Sequence, residues 1–243
     1  VHANLEALTA VLGDIDAQGI RDVRFLGDVV GYGPSPLECV DLVMARAQIV
    51  VRGNHDEALV HGAYGFHLRA QDAIDWTRDQ LRPGFFSGPG VRKRWDWLAQ
   101  LPLRHDDGPD VFLHGSPRDP DEYIFKKDAV QGSLQHMKDY YPGIRLCFFG
   151  HSHLPMLISR SQVESKFNET RTIPLDPGNT YLINPGSVGQ PRDGTPKTSF
   201  GVMDTKRWRF TWVRLDYDYE QTGARIRDMG LDASLATRLT RGK

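Results

Sequence analysis

Side chains that bind metal ions recur in this chain directly after short apolar runs of the kind that form strands. The groups are His2, Gly27-Asp28, Gly53-Asn54-His55-Asp56, His114 and Gly150-His151-Ser152-His153. An open α/β sheet presents its chemistry in the loops that follow the carboxyl ends of its strands. The pattern therefore predicts that these side chains meet at one edge of a sheet.

The donor atoms in these groups indicate which ions they would bind. Imidazole nitrogens with carboxylate and amide oxygens, and no thiolate, suit Zn, Mn, Fe or Ni. The number of donors indicates two ions, and Asp28 is the candidate bridge because it is the only carboxylate at the end of an early strand. A pair of divalent ions about 3.5–4 Å apart can create a hydroxide at neutral pH and neutralise phosphoryl oxygens. We interpret the chain as a dinuclear metal hydrolase.

Length and composition limit the alternatives. The 243 residues are enough for one sizeable α/β domain over 1–243, and 40% hydrophobic with 25% charged residues is typical of a soluble protein. No apolar run approaches the roughly 18 residues of a membrane span, and no secretory signal is recognised, so we expect a cytoplasmic location and no membrane partner. The net charge of −1 lacks the basic footprint of a protein that grips long nucleic acid. Cys39 and Cys147 are predicted to be buried thiols.

The alternation of strand, loop and helix predicts βαβ units and a largely parallel sheet in the first half. Asn4 can cap a helix with an apolar stripe, and Ser35-Pro36 can begin a second helix. Strands are predicted at 23–26, 49–51, 111–113, 144–149, 156–159, 181–184, 200–203 and 208–215, with two helices after 217. The expected fold is α/β, a four-layer α-β-β-α sandwich of two mixed sheets flanked by helices. The irregular helical stretch 67–101 is aromatic-rich, which favours core packing over a lid; its aromatic residues are Trp76, Phe85, Phe86, Trp95 and Trp97.

The motifs, taken in order, resemble those of the calcineurin-like metallophosphoesterases. They are His2-x-Asn4, Gly27-Asp28-x-x-Gly31, Gly53-Asn54-His55-Asp56, His114-Gly115 and Gly150-His151-x-His153. The match runs from residue 1 to about 155, and the segment 184–189 resembles the small bacterial and archaeal phosphodiesterases. The resemblance implies two divalent ions, with Mn favoured and Fe, Zn, Ni or Co as alternatives. It assigns His2, Asp28 and His153 to one ion, and Asp28, Asn54, His114 and His151 to the other.

One family feature falls outside the chain. In the family an aspartate precedes the first histidine by two positions and also binds metal, and here that position would lie before Val1. We therefore expect a fragment or a trimmed chain that lacks the first strand and one carboxylate ligand, with activity impaired by that loss.

Two neighbouring residues are candidates for proton transfer. Imidazole titrates near neutral pH, so a protonated His55 could donate to the departing alkoxide. Asp56 could hold that ring and keep it charged. Arg192 could pair with a phosphate oxygen or with a surface carboxylate, and Tyr32 could line the cleft or simply pack.

The expected function is hydrolysis of phosphate esters, with phosphodiesters favoured, by attack of a hydroxide held between two divalent metals. A phosphomonoesterase acting on a protein or a small molecule is the alternative. Gly31-Tyr32 stands where the protein serine/threonine phosphatases carry Asp-Arg, which disfavours a protein substrate. A non-catalytic scaffold of the same fold is the alternative of another class, although His55 and Asp56 are both present. The substrate and the oligomeric state are left open.

Overall fold

The chain alternates short strands with helices in its first half and forms mostly strands in its second. The structure, a computed structural model, describes residues 1–165 and 167–243. The helices are α1 (Leu5–Ala17), α2 (Pro36–Arg46), α3 (Asn54–His61), α4 (Leu68–Leu81), α5 (Pro89–Ala99), α6 (Lys127–Tyr140), α7 (Tyr219–Asp228) and α8 (Ala233–Arg241). The strands are β1 (Arg24–Phe25), β2 (Ile49–Val50), β3 (Arg104–Asp107), β4 (Asp110–Leu113), β5 (Leu146–Phe148), β6 (Met156–Ile158), β7 (Val163–Ser165), β8 (Arg171–Pro174), β9 (Tyr181–Asn184), β10 (Thr198–Asp204) and β11 (Arg209–Leu215).

The first two helices begin where the sequence predicts. The Asn4 side chain accepts a hydrogen bond from the backbone N–H of Ala7 and so satisfies one of the free donors at the start of α1. Pro36 occupies the first turn of α2, where its missing N–H costs nothing. The predicted apolar stripe of α1 faces inward, with Leu5 half-buried and Leu8, Val11, Leu12 and Ile15 buried. Local chemistry therefore determines where both helices start and which side faces inward.

The strands form three hydrogen-bonded sheets. The largest has the order β3-β4-β5-β9-β6-β7, in which β4, β5 and β9 run parallel. A three-stranded antiparallel sheet has the order β10-β11-β8, and β1 pairs with β2 in parallel. The parallel pairs β1–β2 and β4–β5 are the ones whose ends carry the polar motifs.

Alternate side chains of the small sheets pack in opposite directions and create the four layers. Phe25 and Phe200 pack with the apolar faces of α1 and α2. Trp212 packs on the other side, with Phe148 of the six-stranded sheet. The far face of that large sheet packs on α6 through Met137. The α-β-β-α sandwich predicted from the sequence is confirmed.

The layer facing the six-stranded sheet consists of two separate sheets, β1-β2 and β10-β11-β8. Within the part of the chain that the structure describes, β1 pairs only with β2, and β10 pairs only with β11. Residues of both free edges line a cavity of about 350 Å³, together with Leu12 and Val188. The same cavity extends to Asp28, His114 and His153, so an apolar space ends at the polar motifs.

Several local predictions were wrong or incomplete. The aromatic-rich stretch is not uniformly core: Trp95 and Trp97 pack against the main core, whereas Phe85 and Phe86 are 89% and 95% exposed. The strand predicted at 49–51 is observed at Ile49–Val50, where it is half-buried, and Val51 just after it is buried. The sequence reasoning missed α3, β3, α6, β7 and β8. Strand β3 has the sequence Arg-His-Asp-Asp, which carries no apolar signal, and it forms because β4 supplies its hydrogen-bond partners.

Both cysteines are buried free thiols, as predicted, with Cys39 in α2 and Cys147 in β5. Among residues 1–165 and 167–243, no helix combines the length and the apolar character that a membrane crossing requires.

Candidate metal centre

The polar motifs converge at the carboxyl ends of the two parallel strand pairs. Asp28 follows β1, Asn54 begins α3 just after β2, His114 follows β4, and His151 follows β5. His2 reaches the same place because its backbone N–H donates to the Asp28 carbonyl oxygen at 2.8 Å. The convergence predicted from strand ends is therefore present.

One group of donors contains His2, Asp28 and His153. The Nε2 atoms of the two histidines lie 3.0 Å apart, and the His2 Nε2 atom is 3.3 Å from Asp28 Oδ2. All three side chains are buried, and their donor atoms lie within 4.8 Å of one another.

A second group contains Asp28, Asn54, His114 and His151. His114 Nε2 lies 3.3 Å from Asp28 Oδ2 and 3.2 Å from His151 Nδ1. Asn54 Oδ1 is 3.1 Å from His114 Nε2 and 3.2 Å from His151 Nδ1. The two groups share Asp28, and the same carboxylate oxygen contacts a histidine from each.

Backbone carbonyls determine which nitrogen of each ring carries its hydrogen. A carbonyl oxygen only accepts, so a ring nitrogen bonded to one must be the N–H. His2 Nδ1 faces the Val30 carbonyl at 3.2 Å, and His153 Nδ1 faces the Gln190 carbonyl at 2.6 Å. In the second group, His114 Nδ1 faces the Leu26 carbonyl at 2.6 Å and His151 Nε2 faces that of Asp121 at 3.0 Å.

These four contacts leave a lone pair on the remaining nitrogen of every neutral ring. In the first group the His2 and His153 lone pairs point at each other across 3.0 Å. In the second group, when both rings are neutral, two lone pairs, an amide oxygen and a carboxylate oxygen meet without a hydrogen to share, and either a proton on His114 Nε2 or a metal ion relieves their repulsion. Such an assembly of acceptors is repulsive unless a cation lies among them, and ligand histidines commonly donate their other N–H in this way. The residues present therefore fit a metal centre.

The charges around Asp28 also fit a site that binds a cation. Burial raises the pKa of Asp28, but the imidazoles of His114, His55 and His2 more than offset this and hold it well below its usual value. Burial lowers the pKa of His114, yet the Asp28 carboxylate and hydrogen bonds to Asp28 and Leu26 leave it raised. Burial lowers the pKa of His2 and His153 well below normal. The ionised carboxylate thus attracts positive charge, while most of the rings stay neutral and able to bind an ion.

The backbone at these positions is unusual. His2, Asp28, His151 and His153 have φ between 52° and 60°, in the left-handed region that few side chains other than glycine adopt. His151 and His153 are two residues apart, and in a fully extended segment such side chains would share a face. Each histidine is instead aimed by its own left-handed turn. Backbone strain of this kind concentrates at functional sites.

Two glycines allow the loops to meet. A Cβ added to Gly27 would lie 2.5 Å from the Gly53 backbone nitrogen, and Gly27 also has φ of 86°. A Cβ added to Gly53 would lie 2.2 Å from Asp28 Oδ1. Only glycine permits this approach.

His55 lies beside the metal ligands in an aromatic pocket. Its ring centroid is 4.7 Å from that of His2, 4.4 Å from Tyr32 and 5.2 Å from Phe66. The buried Nδ1 atom has no hydrogen-bond partner among the described residues. Burial lowers the pKa of His55 to about 4, the Asp28 carboxylate opposing that shift. The ring is therefore neutral at pH 7 in the protein without metal or substrate.

The predicted contact between Asp56 and the His55 ring is absent, which is a correction. Asp56 Oδ1 accepts from the Val29 N–H at 2.9 Å, and Oδ2 accepts from the Gly53 N–H at 3.0 Å. Burial raises the pKa of Asp56 to about 6, with the nearby Asp28 charge adding to the shift. The carboxyl group ties the Asp28 loop to the start of α3 and so acts on the geometry of the site.

Sequence reasoning did not find several residues around the centre. The carbonyl oxygens of Leu26, Val30, Asp121 and Gln190 orient the rings, but any residue type supplies a carbonyl, so no signal marked them. Tyr123 lies against His151 with 3.8 Å between ring centroids. Tyr32 is buried and contacts both His2 and His55, so it packs and lines the site at once.

The comparisons with known proteins agree with this geometry. Residues 1–207 match the family described as the calcineurin-like phosphoesterase superfamily domain. A relative from Methanocaldococcus jannaschii, named uncharacterized protein MJ0912, is 34% identical over 255 residues, which cover 100% of this chain and 96% of that protein.

Two solved structures share the fold. A metallophosphoesterase from Sphaerobacter thermophilus is 38% identical with a TM-score of 0.84, covering 100% of this chain and 97% of that one. The hypothetical protein PH1004 from Pyrococcus horikoshii OT3 is 19% identical with a TM-score of 0.75, covering 100% and 95%; this second likeness shows the fold alone.

The chain belongs to the calcineurin-like phosphoesterase superfamily, as the motif order predicted. The family binds divalent metals, and the two donor groups that share Asp28 are where this chain could hold one or more.

Proposed function

We propose that the protein is a phosphoesterase that uses two divalent metal ions, with phosphodiesters as the favoured substrates and Mn as the favoured metal. The observation that carries this proposal is the position of Asp28 Oδ2, which lies 3.3 Å from an imidazole nitrogen of each donor group. A carboxylate in that position can bridge two ions. When bound, such ions supply a nucleophile at neutral pH and neutralise the phosphoryl oxygens.

The chain's own residues would have distinct roles. His2, Asp28 and His153 hold one ion, and Asp28, Asn54, His114 and His151 hold the other. The backbone carbonyls keep each ring in the tautomer that binds metal. Asp56 fixes the distance between the Asp28 loop and α3, and hence the position of Asn54 relative to Asp28.

His55 is the proposed proton donor to the leaving group. It lies beside His2, belongs to neither donor group, and has a ring nitrogen that makes no hydrogen bond among the described residues. Burial keeps the pKa of His55 low, and a phosphate anion bound next to the ring would raise it. The substrate itself would then provide the charge that the sequence analysis assigned to Asp56.

The first experiment assays chromogenic phosphomonoesters and phosphodiesters with Mn, Fe, Co, Ni, Zn and Ca. We expect turnover with first-row transition metals and little with Ca, because imidazole ligands disfavour Ca. A higher kcat/KM for diesters than for monoesters supports the favoured substrate class, and the reverse makes the protein a monoesterase. If the protein binds two metal ions per chain and hydrolyses no ester, the scaffold alternative replaces the enzyme.

Three variants test the roles. Asn54→Ala and His151→Ala should each lower metal content, measured by elemental analysis, and reduce turnover by more than about a hundredfold, which exceeds the usual effect of residues that only orient ligands. His61→Ala, an exposed histidine on α3 outside both groups, is the control. His55→Ala should keep its metal and slow hydrolysis most for poor leaving groups. An equal loss for all leaving groups would count against proton donation.

A further inference from the structure

Two arginines lie at the edge of the metal centre, next to Tyr32. Arg192 lies two residues after Gln190, whose carbonyl oxygen accepts from the His153 ring at 2.6 Å, and its guanidinium donates to the Gln190 side-chain oxygen at 3.1 Å. Arg238, on α8, has its guanidinium carbon 5.7 Å from the centroid of the Tyr32 ring. The Tyr32 ring in turn is 4.4 Å from that of His55. The two guanidinium groups therefore approach the site from two different parts of the chain.

Neither arginine has a carboxylate side chain to neutralise it. Of the ion pairs formed within residues 1–165 and 167–243, none includes Arg192 or Arg238. Arg192 donates instead to the side-chain oxygen of Gln190 at 3.1 Å, and Arg238 Nε donates to a backbone oxygen of Lys243, the last residue of the sequence, at 2.7 Å. Both side chains are half-buried. The alternative of a surface ion pair for Arg192, left open by the sequence, is not what the structure shows.

The two positive charges act on each other and on the site. Desolvation, followed by the charge of Arg192, lowers the pKa of Arg238. After burial, the charge of Arg192 is also among the effects that lower the pKa of His55 and His153. Two half-buried like charges repel each other, and a bound anion would relieve that repulsion.

The loop that carries Arg192 is firmly anchored. The next residue, Asp193, pairs with Arg214 of β11 at 2.8 Å, and neither side chain of this pair is exposed. Gly194 donates its backbone N–H to the Gly242 carbonyl, just beyond α8. These contacts fix the position of the Arg192 loop relative to the end of α8, which carries Arg238. The two arginines are therefore held near each other before any ligand binds.

We propose that Arg192 and Arg238 form a subsite for a second phosphate group of the substrate, adjacent to the phosphate bound at the metal centre. The proposal rests on the proposed function above, because it assumes that a phosphate ester occupies the metals. Guanidinium groups are suited to this role since each can offer two parallel N–H donors to phosphate oxygens. The natural substrate is then a phosphate ester that carries a further phosphate, rather than a simple monoester or diester.

The test compares propane-1,3-diyl bisphosphate with propyl phosphate, which lacks the second phosphate. Titration calorimetry measures the Kd of each for the manganese-loaded protein. The wild type should bind the bisphosphate more tightly, and Arg238→Gln should weaken its binding roughly tenfold to hundredfold, as expected for a lost hydrogen bond to a charged group. The Kd of propyl phosphate should stay within about twofold. Arg238→Lys keeps the charge and should recover part of the difference.

Arg241→Gln is the matched control, since Arg241 is an exposed arginine on the same helix. It should leave both Kd values at wild-type levels, and thermal unfolding should show that all variants fold. Equal weakening of both ligands by Arg238→Gln would overturn the proposal, because the arginine would then serve the phosphate at the metals. Equal wild-type affinity for the two ligands would overturn it as well.

Binding is measured directly, so the two proposals fail separately. If no ester is hydrolysed but the bisphosphate preference depends on Arg238, the subsite stands and the enzyme proposal falls. If esters are hydrolysed and the preference is absent, the enzyme stands and the subsite falls.

Discussion

Acid should destabilise the metal-free protein through its buried histidines, and His55 allows the effect to be measured for one residue. Burial lowers its pKa from the usual 6.5 to about 4. Because the pKa is lower in the folded protein than in the unfolded chain, the unfolded chain binds more protons below pH 6.5. The contribution of His55 to the free energy of unfolding is therefore fully present above pH 6.5, and it is lost as the pH falls towards 4.

The magnitude follows from the difference between the pKa of His55 in the unfolded chain and in the folded protein. A tenfold difference in proton affinity between the two states corresponds to about 1.4 kcal/mol, so His55 should account for about 3 kcal/mol of stability lost between pH 6.5 and 4. Other groups titrate in the same range, and Asp56, with its pKa raised to about 6, acts in the opposite direction. The contribution of His55 is isolated as the difference between wild type and His55→Asn at each pH.

The assay is urea unfolding of the chelator-treated proteins at several pH values from 7.5 to 4.5. Near neutral pH the wild type should have its largest stability relative to His55→Asn, and this advantage should shrink as the pH falls. His61→Asn replaces an exposed histidine on the same helix and should show no comparable trend. A stability difference between wild type and His55→Asn that stays constant across the range would refute the reasoning, since the ring would then titrate equally in both states.

Two further predictions concern stability and packing. Residue 31 has a φ of 89°, and the methyl group of Gly31→Ala would lie 2.3 Å from His55 Nδ1. Because it would displace the His55 ring, the substitution should slow ester hydrolysis while leaving metal content unchanged. Gly19→Ala, at a φ of 71° with nothing within 4 Å, is its control and should cost only the backbone strain of roughly 1–2 kcal/mol, measured by urea unfolding. Asp193→Ala leaves Arg214 buried without its partner and should lower the free energy of unfolding by about 3–5 kcal/mol. Asp41→Ala, which removes the partner of Arg94 on the surface, should cost less than about 1 kcal/mol; a similar cost for both would contradict the burial argument.

The part of the fold that could be predicted is the part with local signals. Asn4 and Ser35-Pro36 mark helix starts because capping involves only neighbouring residues. The apolar runs before Asp28, His114 and His151 mark strands that end in polar loops. Strand β3 could not be found in the same way, because Arg104 to Asp107 form a strand only by pairing with β4. Likewise, the exposure of Phe85 and Phe86 depends on what lies opposite them, which no local pattern records.

The sequence by itself determined the donor types, their order and their placement at strand ends. Those properties follow from residue identity and from the geometry of parallel strands. Only the tertiary structure decided how the donors face one another. The left-handed turns at His151 and His153, the carbonyls that choose each tautomer, and the use of Asp56 to join two loops all depend on contacts between distant segments. The proximity of Arg192 and Arg238 also depends on the tertiary structure. These two residues are far apart in the chain, and their positive charges act on each other only because the fold brings them together.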